Sequence, residues 1–208
     1  PQYEEVVLKN LIDDIRGRGN AVTAGDIGYR YVVQTLQDRG ASDVLFDMNS
    51  RYDVPGYGYQ IAMGETALAE SWQSRDYLSH NHCMLGHLYS WLFSGIGGIS
   101  QESGSTAYKR IVIDPQIVGD LRDARVSFRS PYGLIRSEWK DAPDEFVQTI
   151  EIPANATARI CLPATDPAKV TESGKPVSGR KDMAVESGTD GRIELHVGSG
   201  VYRIAVEK

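Results

Sequence analysis

Apolar residues recur every three or four positions along the first hundred residues and every second position along the rest. In YEEVVLKNLIDDIRGRG, Val6, Val7, Leu11, Ile12 and Ile15 predict an amphipathic helix that stops at Gly17 and Gly19. DIGYRYVVQTLQDRG repeats the pattern through Ile27, Tyr31, Val32 and Leu36 and stops at Gly40. ASDVLFDMNSR carries Val44, Leu45 and Met48, with Ser42 as a candidate cap for a third helix. VPGYGYQIAMG (54–64) breaks the spacing with Pro and Gly and reads as a loop or a short strand. Helical spacing resumes over 64–72 and 82–94. The second of these is apolar nearly all round, the mark of a helix buried on most faces.

From about Tyr108 the period changes to two. YKRIVIDPQI, ARVSFRSPYGLIRSEWK, EFVQTIEIP, ATARICLP and GRIELHVGSGVYRIAVEK alternate apolar and polar residues between Pro, Gly and Asn breaks. SPYGLI and HVGSGVYRI read as hairpin turns. Short strands at this spacing predict an antiparallel β-sandwich. GIGGISQESGSTA (95–107) is the Gly/Ser-rich join, so the pattern divides the chain into a helical domain, 1–100, and a sandwich domain, 101–208.

Charge follows the same border. Residues 1–100 carry 7 Lys/Arg against 12 Asp/Glu, and the remainder 15 against 16. The net charge of −6 argues against a nucleic-acid surface, which needs clustered cations. No apolar run approaches the roughly 18–20 residues of a membrane helix. Cys83 and Cys161 form neither a CxxC pair nor a disulfide framework and read as small packed hydrophobes. The chain opens at Pro1 with neither an initiator Met nor a signal sequence, as a trimmed piece of a longer chain does, and the compartment is not legible. Eight of the eleven tyrosines and three of the four histidines lie in the helical part. Carboxylates among aromatic rings suit a neutral polyol such as a sugar, although helical cores show the same clustering.

The candidate chemistry lies in GETALAESW (64–72) and SHNHCMLGH (79–87). Glu70 stands among Ala67, Leu68, Ala69 and Trp72, which offer little polar cover, and a carboxylate so placed either shifts its pKa or has a task that needs the shift. On a helix, Glu65 and Glu70 would point about 140° apart, so they do not form an acid/base pair. His80, His82 and His87 raise a zinc reading, but with Asn81 capping the next helix, positions 82 and 87 align poorly for one ion, and no metal is expected. His82 is the better candidate for a bond to a ligand; the alternative is a satisfied core histidine. Trp72 and the Tyr57-Gly58-Tyr59 run offer stacking surfaces, or else core.

Several of these runs, taken in order, resemble the C-terminal part of bacterial α-L-rhamnosidases of the glycoside hydrolase family 78 type. They are IDDIRGRGN, TAGDIGYRYVVQTLQDRGASDVLFDM, PGYGYQIAMGETALAESW, NHCMLGHLYSWLFSGIGGI, YKRIVIDPQI and ARVSFRSPYGLIRSEW. The resemblance implies the closing helices of an (α/α)6 barrel followed by the family's β-sandwich. The family's pattern around its general base is similar to Gly-Ala-Thr-Thr-x-Trp-Glu-x-Trp. Here it stands as Gly64-Glu65-Thr66-Ala67-Leu68-Ala69-Glu70-Ser71-Trp72, which carries the base to Glu70. The family's Asn-His, whose imidazole contacts the sugar, matches Asn81-His82. Ala69 stands for the usual tryptophan, Glu65 for a small residue and His80 for an apolar one. By this resemblance the chain carries half of an inverting site that cleaves terminal α-L-rhamnose from glycosides or polysaccharides. The sugar contacts would be His82, Asn81, Trp72 and Tyr59, with no cofactor, and the general acid would lie in preceding barrel helices that act as the chain's partner. A non-catalytic carbohydrate-binding protein is the alternative. Helix faces left bare in such a piece predict self-association.

Overall fold

Three of the expected helices form with nearly the expected limits in the computed structural model, which describes residues 2–208: α1 (Glu4–Gly17), α2 (Asp26–Asp38) and α3 (Ser42–Asn49). They belong to the first of two compact units, Pro1–Trp91, which also holds α4 (Tyr57–Ala62) and the single turn α5 (Leu88–Trp91). Of the α1 stripe only Ile15 is buried, while Val6 and Val7 are 57% and 62% exposed. α2 buries Tyr29, Val33 and Leu36 rather than the expected row Ile27, Tyr31, Val32 and Leu36. The helix is apolar on two faces, and the Tyr29 face meets α3 and α5 while Ile27 and Tyr31 stay exposed. It ends where Gly40 takes a φ of +71°, which lets the Ala41 amide reach back to the Leu36 carbonyl at 2.8 Å.

Several helical expectations need correction. Residues 57–62 form α4 rather than a loop or strand. Gly58 is needed there because a Cβ would run into the Arg51 carbonyl, so the glycine that looked like a breaker is a close-packing residue. Residues 64–72 are turns and extended chain rather than a helix. Their amides are engaged elsewhere: Ala69 N–H donates to the Gln60 side chain, and Glu70 N–H to the Ser79 carbonyl. Over 82–94 the chain makes a 3-10 turn (Cys83–Leu85), then α5, then a π turn (Leu92–Ile96), and Met84 and Tyr89 are exposed. Neither Ser42 nor Asn81 caps a helix. The Ser42 hydroxyl instead accepts the Trp91 indole N–H at 2.8 Å.

The second unit, Leu92–Lys208, is two sheets. One runs β1 (Ile99–Gln101), β2 (Arg110–Ile113), β6 (Thr157–Cys161), β10 (Ile193–Val197) and β9 (Ala184–Ser187). The other runs β3 (Asp123–Ser130), β4 (Gly133–Asp141), β5 (Glu145–Ile152), β11 (Gly200–Glu207), β7 (Val170–Glu172) and β8 (Lys175–Pro176). All pairings are antiparallel except β2 with β6. Alternate residues fill the core: Ile111, Ile113, Ile160 and Leu195 from one sheet, Ile135, Trp139, Phe146, Ile150 and Ile204 from the other. Trp139 donates its indole N–H to the Ile96 carbonyl at 2.8 Å, tying the π turn to this unit. SPYGLI is a hairpin, with Ser130 opposite Gly133. HVGSGVYRI is not: β10 and β11 lie in different sheets, so this turn carries the chain across the sandwich. Cys161 is buried, which pushes its thiol up to about 12, whereas Cys83 is exposed, contrary to expectation.

Candidate active site

The irregular run after α4 is held by a second irregular run. Glu70 N–H donates to the Ser79 carbonyl at 2.8 Å, and His82 N–H to the Leu68 carbonyl at 2.7 Å. These two bonds lay 68–70 beside 79–82 and bring Glu70 and His82 to one place despite the eleven intervening residues. Beneath them Trp72 is buried. Its indole N–H donates to the Ala24 carbonyl at 2.8 Å, and its ring meets Tyr29 and Tyr57 edge-on at centroid distances of 4.9 and 5.2 Å. Burial holds the Tyr29 hydroxyl far above its ordinary range and pushes Tyr57 up to about 12. Both phenols therefore act as donors, Tyr29 to Asn49 Oδ1 at 3.1 Å and Tyr57 to the Leu85 carbonyl.

On this floor opens a pocket of about 490 Å³, walled by Thr23, Asp26, Glu70, Trp72, Gln73 and His82 among others. Glu70 is exposed; its Oε2 accepts the Ser79 N–H at 3.1 Å, and Oε1 has no protein partner among the described residues. A carboxylate with one oxygen held by an amide and the other free at a pocket mouth can accept a proton from a water or a hydroxyl. His82 is half-buried, with its backbone fixed and its side chain on the pocket wall. Of the expected site residues, then, the structure gathers Glu70, His82 and Trp72. It does not bring Asn81 or Tyr59 to the pocket wall: Asn81 is exposed and donates its backbone N–H to Ser79 Oγ at 3.2 Å, and Tyr59 is half-buried on α4. Trp72 contributes an edge of the floor, not an open stacking face.

Glu65 is not turned away from this region. Its carboxylate, 11% exposed, takes His80 Nδ1 at 2.8 Å, and this bond raises the His80 pKa above its ordinary value. Among the described residues no three His, Cys, Asp or Glu side chains converge as a metal-ligand set. Thr23, Asp26 and Gln73 escaped the sequence reading. Thr23 and Asp26 lie at the start of α2, where a polar residue reads as an ordinary helix beginning, and only the fold of 64–82 shows that this helix end lines the same pocket as Glu70.

Residues 1–96 match the family model of the bacterial α-L-rhamnosidase six-hairpin glycosidase domain, and residues 98–176 match that of the bacterial α-L-rhamnosidase C-terminal domain. An α-L-rhamnosidase of Streptomyces avermitilis is 29% identical over 94% of the chain, a match that covers 19% of that relative. Its structure, solved with L-rhamnose, superposes with a TM-score of 0.81 at 28% identity, covering 92% of the chain and 19% of the solved one. The α-L-rhamnosidase of Dictyoglumus thermophilum gives a TM-score of 0.85 at 28% identity, over 97% of the chain and 23% of the solved one. The chain thus spans about a fifth of the length of the relatives it matches.

Proposed function

The chain belongs to the bacterial α-L-rhamnosidase family, and we propose that it supplies the general base, Glu70, for inverting hydrolysis of terminal α-L-rhamnosides. The observation that carries this reading is the Glu70 carboxylate at the pocket mouth beside His82, with Oε2 held by the Ser79 amide and Oε1 free for a water. In the reaction Glu70 takes a proton from that water as its oxygen attacks the anomeric carbon. The glycosidic bond breaks, and a carboxylic acid from outside these 208 residues protonates the leaving oxygen. In inverting sites the two carboxyl groups stand about 6.5–9.5 Å apart, which leaves room for the water. His82 and Asp26 line the same pocket and are suited to hold sugar hydroxyls, while the Trp72 floor excludes solvent from beneath.

Glu70→Gln keeps the shape and one acceptor but removes the base. In the complete enzyme, kcat on an aryl α-L-rhamnoside falls by about 10²–10⁴, the usual worth of general base catalysis. KM changes little, because a neutral sugar gains little from the charge. Azide, which needs no base, restores turnover and gives a glycosyl azide of inverted configuration. Wild-type kcat in Glu70→Gln would sink this assignment; retained sugar binding without any Glu70 dependence would favour a non-catalytic carbohydrate-binding role.

A further inference from the structure

The base is an exposed side chain on an irregular segment, so something other than secondary structure must hold its backbone. We propose that Gln60 is a positioning residue for Glu70, an inference that rests on Glu70 being the base. Gln60 sits on α4 with 3% of its surface exposed, an unusual place for an amide unless both its ends are satisfied. They are: Oε1 accepts the Ala69 N–H at 3.3 Å, and Nε2 donates to the Ser71 carbonyl at 3.2 Å. An N–H can only donate and a carbonyl only accept, so the amide has one orientation. The two groups it binds belong to the residues immediately before and after Glu70. Gln60 is itself anchored, its N–H donating to the Gly56 carbonyl at 3.1 Å and its carbonyl accepting the Glu65 N–H at 3.0 Å. The base is therefore fixed from two sides, by Gln60 through its flanking peptides and by Ser79 through its own amide and carboxylate.

Releasing one side lets the carboxylate drift, and a misplacement of about 1 Å costs on the order of 10²-fold in rate. Gln60→Met, similar in shape but without either bond, lowers kcat about 10–100-fold in the complete enzyme and moves KM less than kcat. Gln60→Glu is the sharper test. As a neutral acid its hydroxyl donates to Ser71 and its carbonyl oxygen accepts from Ala69, as the amide does. As a carboxylate it can only accept, so it loses the Ser71 bond. Burial favours the neutral form. The ratio of Gln60→Glu kcat to wild-type kcat, taken at each pH, is therefore near one in acid and falls tenfold or more as pH rises. Glu65, Glu70 and His80, the titratable groups along this strip, are present in both proteins, so what distinguishes the two pH profiles is ionisation of the introduced carboxyl, including its repulsion of Glu65 and Glu70. The Gln60→Met ratio is low at every pH. Circular dichroism at each pH confirms that the variants compared are folded, and should Gln60→Met not fold, the Gln60→Glu ratio alone decides. A folded Gln60→Glu with a pH-independent ratio overturns the role of Gln60. Glu70→Gln, run beside them, separates the two failures. If it is inactive while the Gln60 variants match wild type, only the positioning role falls; if it is fully active, the assignment of the base falls first.

Discussion

Glu65 and His80 show how much one irregular turn changes a residue's meaning. The resemblance to the rhamnosidases marks both as departures, an acid for a small residue and an imidazole for an apolar one, and in the folded chain they are partners 2.8 Å apart. The bond to Glu65 is the largest cause that raises the His80 pKa, with the charge of Asp76 adding to it. A group whose folded pKa lies above its unfolded value stabilises the protein fully below the unfolded value, near pH 6.5, and loses that contribution as pH rises through the folded value. Thermal melts of wild type and Glu65→Gln should therefore differ most at about pH 5–6, converging as pH rises through the raised His80 pKa and again in stronger acid, where carboxylates ordinarily protonate. Imidazole NMR should show the His80 midpoint moving down in Glu65→Gln; equal midpoints in the two proteins would contradict the pair. In catalysis Glu65→Gln stays within a few-fold of wild type. The geometric reason differs from the one the helical reading supplied, since the amide oxygen introduced by Glu65→Gln still accepts from His80 Nδ1–H and keeps 79–82 in place. The identity of the base candidate was legible because Gly64, Thr66, Glu70 and Trp72 keep the spacing of a family motif although Glu65 and Ala69 depart from it. The Glu65–His80 and Gln60 contacts were not, because they join positions whose proximity depends on the path of 64–82.

Elements were legible where one period ran unbroken against a packed neighbour, as in α2, α3 and the β3–β4–β5 meander. They were misread where backbone bonds go to side chains or distant carbonyls. The run 64–72 has helical apolar spacing, yet the Gln60 amide and the Ser79 carbonyl take its amide protons, so its small apolar residues pack a loop. α4 was hidden by the opposite effect. Its glycine lowers helix propensity, but the Arg51 carbonyl lies so close that no other residue fits. Gly58→Ala should therefore destabilise by about 1–3 kcal/mol, the cost of overpacking, despite alanine's better helix propensity. Urea unfolding measures this, and a neutral or stabilising result would mean the contact is loose. HVGSGVYRI misled in a third way. Turn residues predict a reversal of direction, but whether the two strands pair or pass to facing sheets is decided by the strands that take the available edges of β10 and β11. β6 and β9 flank β10, and β5 and β7 flank β11.

At the scale of the molecule the two units differ in what they leave uncovered. Among the described residues, eleven of the thirteen exposed large apolar side chains lie in Pro1–Trp91, among them Tyr3, Val6 and Val7 around α1 and Ile27 and Tyr31 on α2. A hollow of about 510 Å³ opens over α1 and α2, walled mostly by apolar atoms of Tyr3, Val7 and Leu8 with Glu4 and Arg39 beside them. The sandwich unit buries its apolar residues between its own sheets. Surfaces of the first kind are poorly tolerated by a monomer in water. The 208-residue chain expressed alone should therefore self-associate, with a mass by light scattering above that of one chain of 22.9 kDa and rising with concentration. Val6→Glu with Val7→Lys should reduce it, while Val201→Lys on the sandwich should not. The same chain should release no measurable alcohol from an alkyl α-L-rhamnoside, because under the proposed mechanism an alkoxide leaves only when an acid from outside these residues protonates it. The two expectations can fail separately. A monomeric, inactive chain would show that the exposed faces of α1 and α2 are solvent-tolerant without touching the chemistry. Turnover at ordinary enzyme rates would mean that both carboxylates lie within these residues, and Asp26, which shares the pocket with Glu70, would then be the first acid to test by substitution with asparagine.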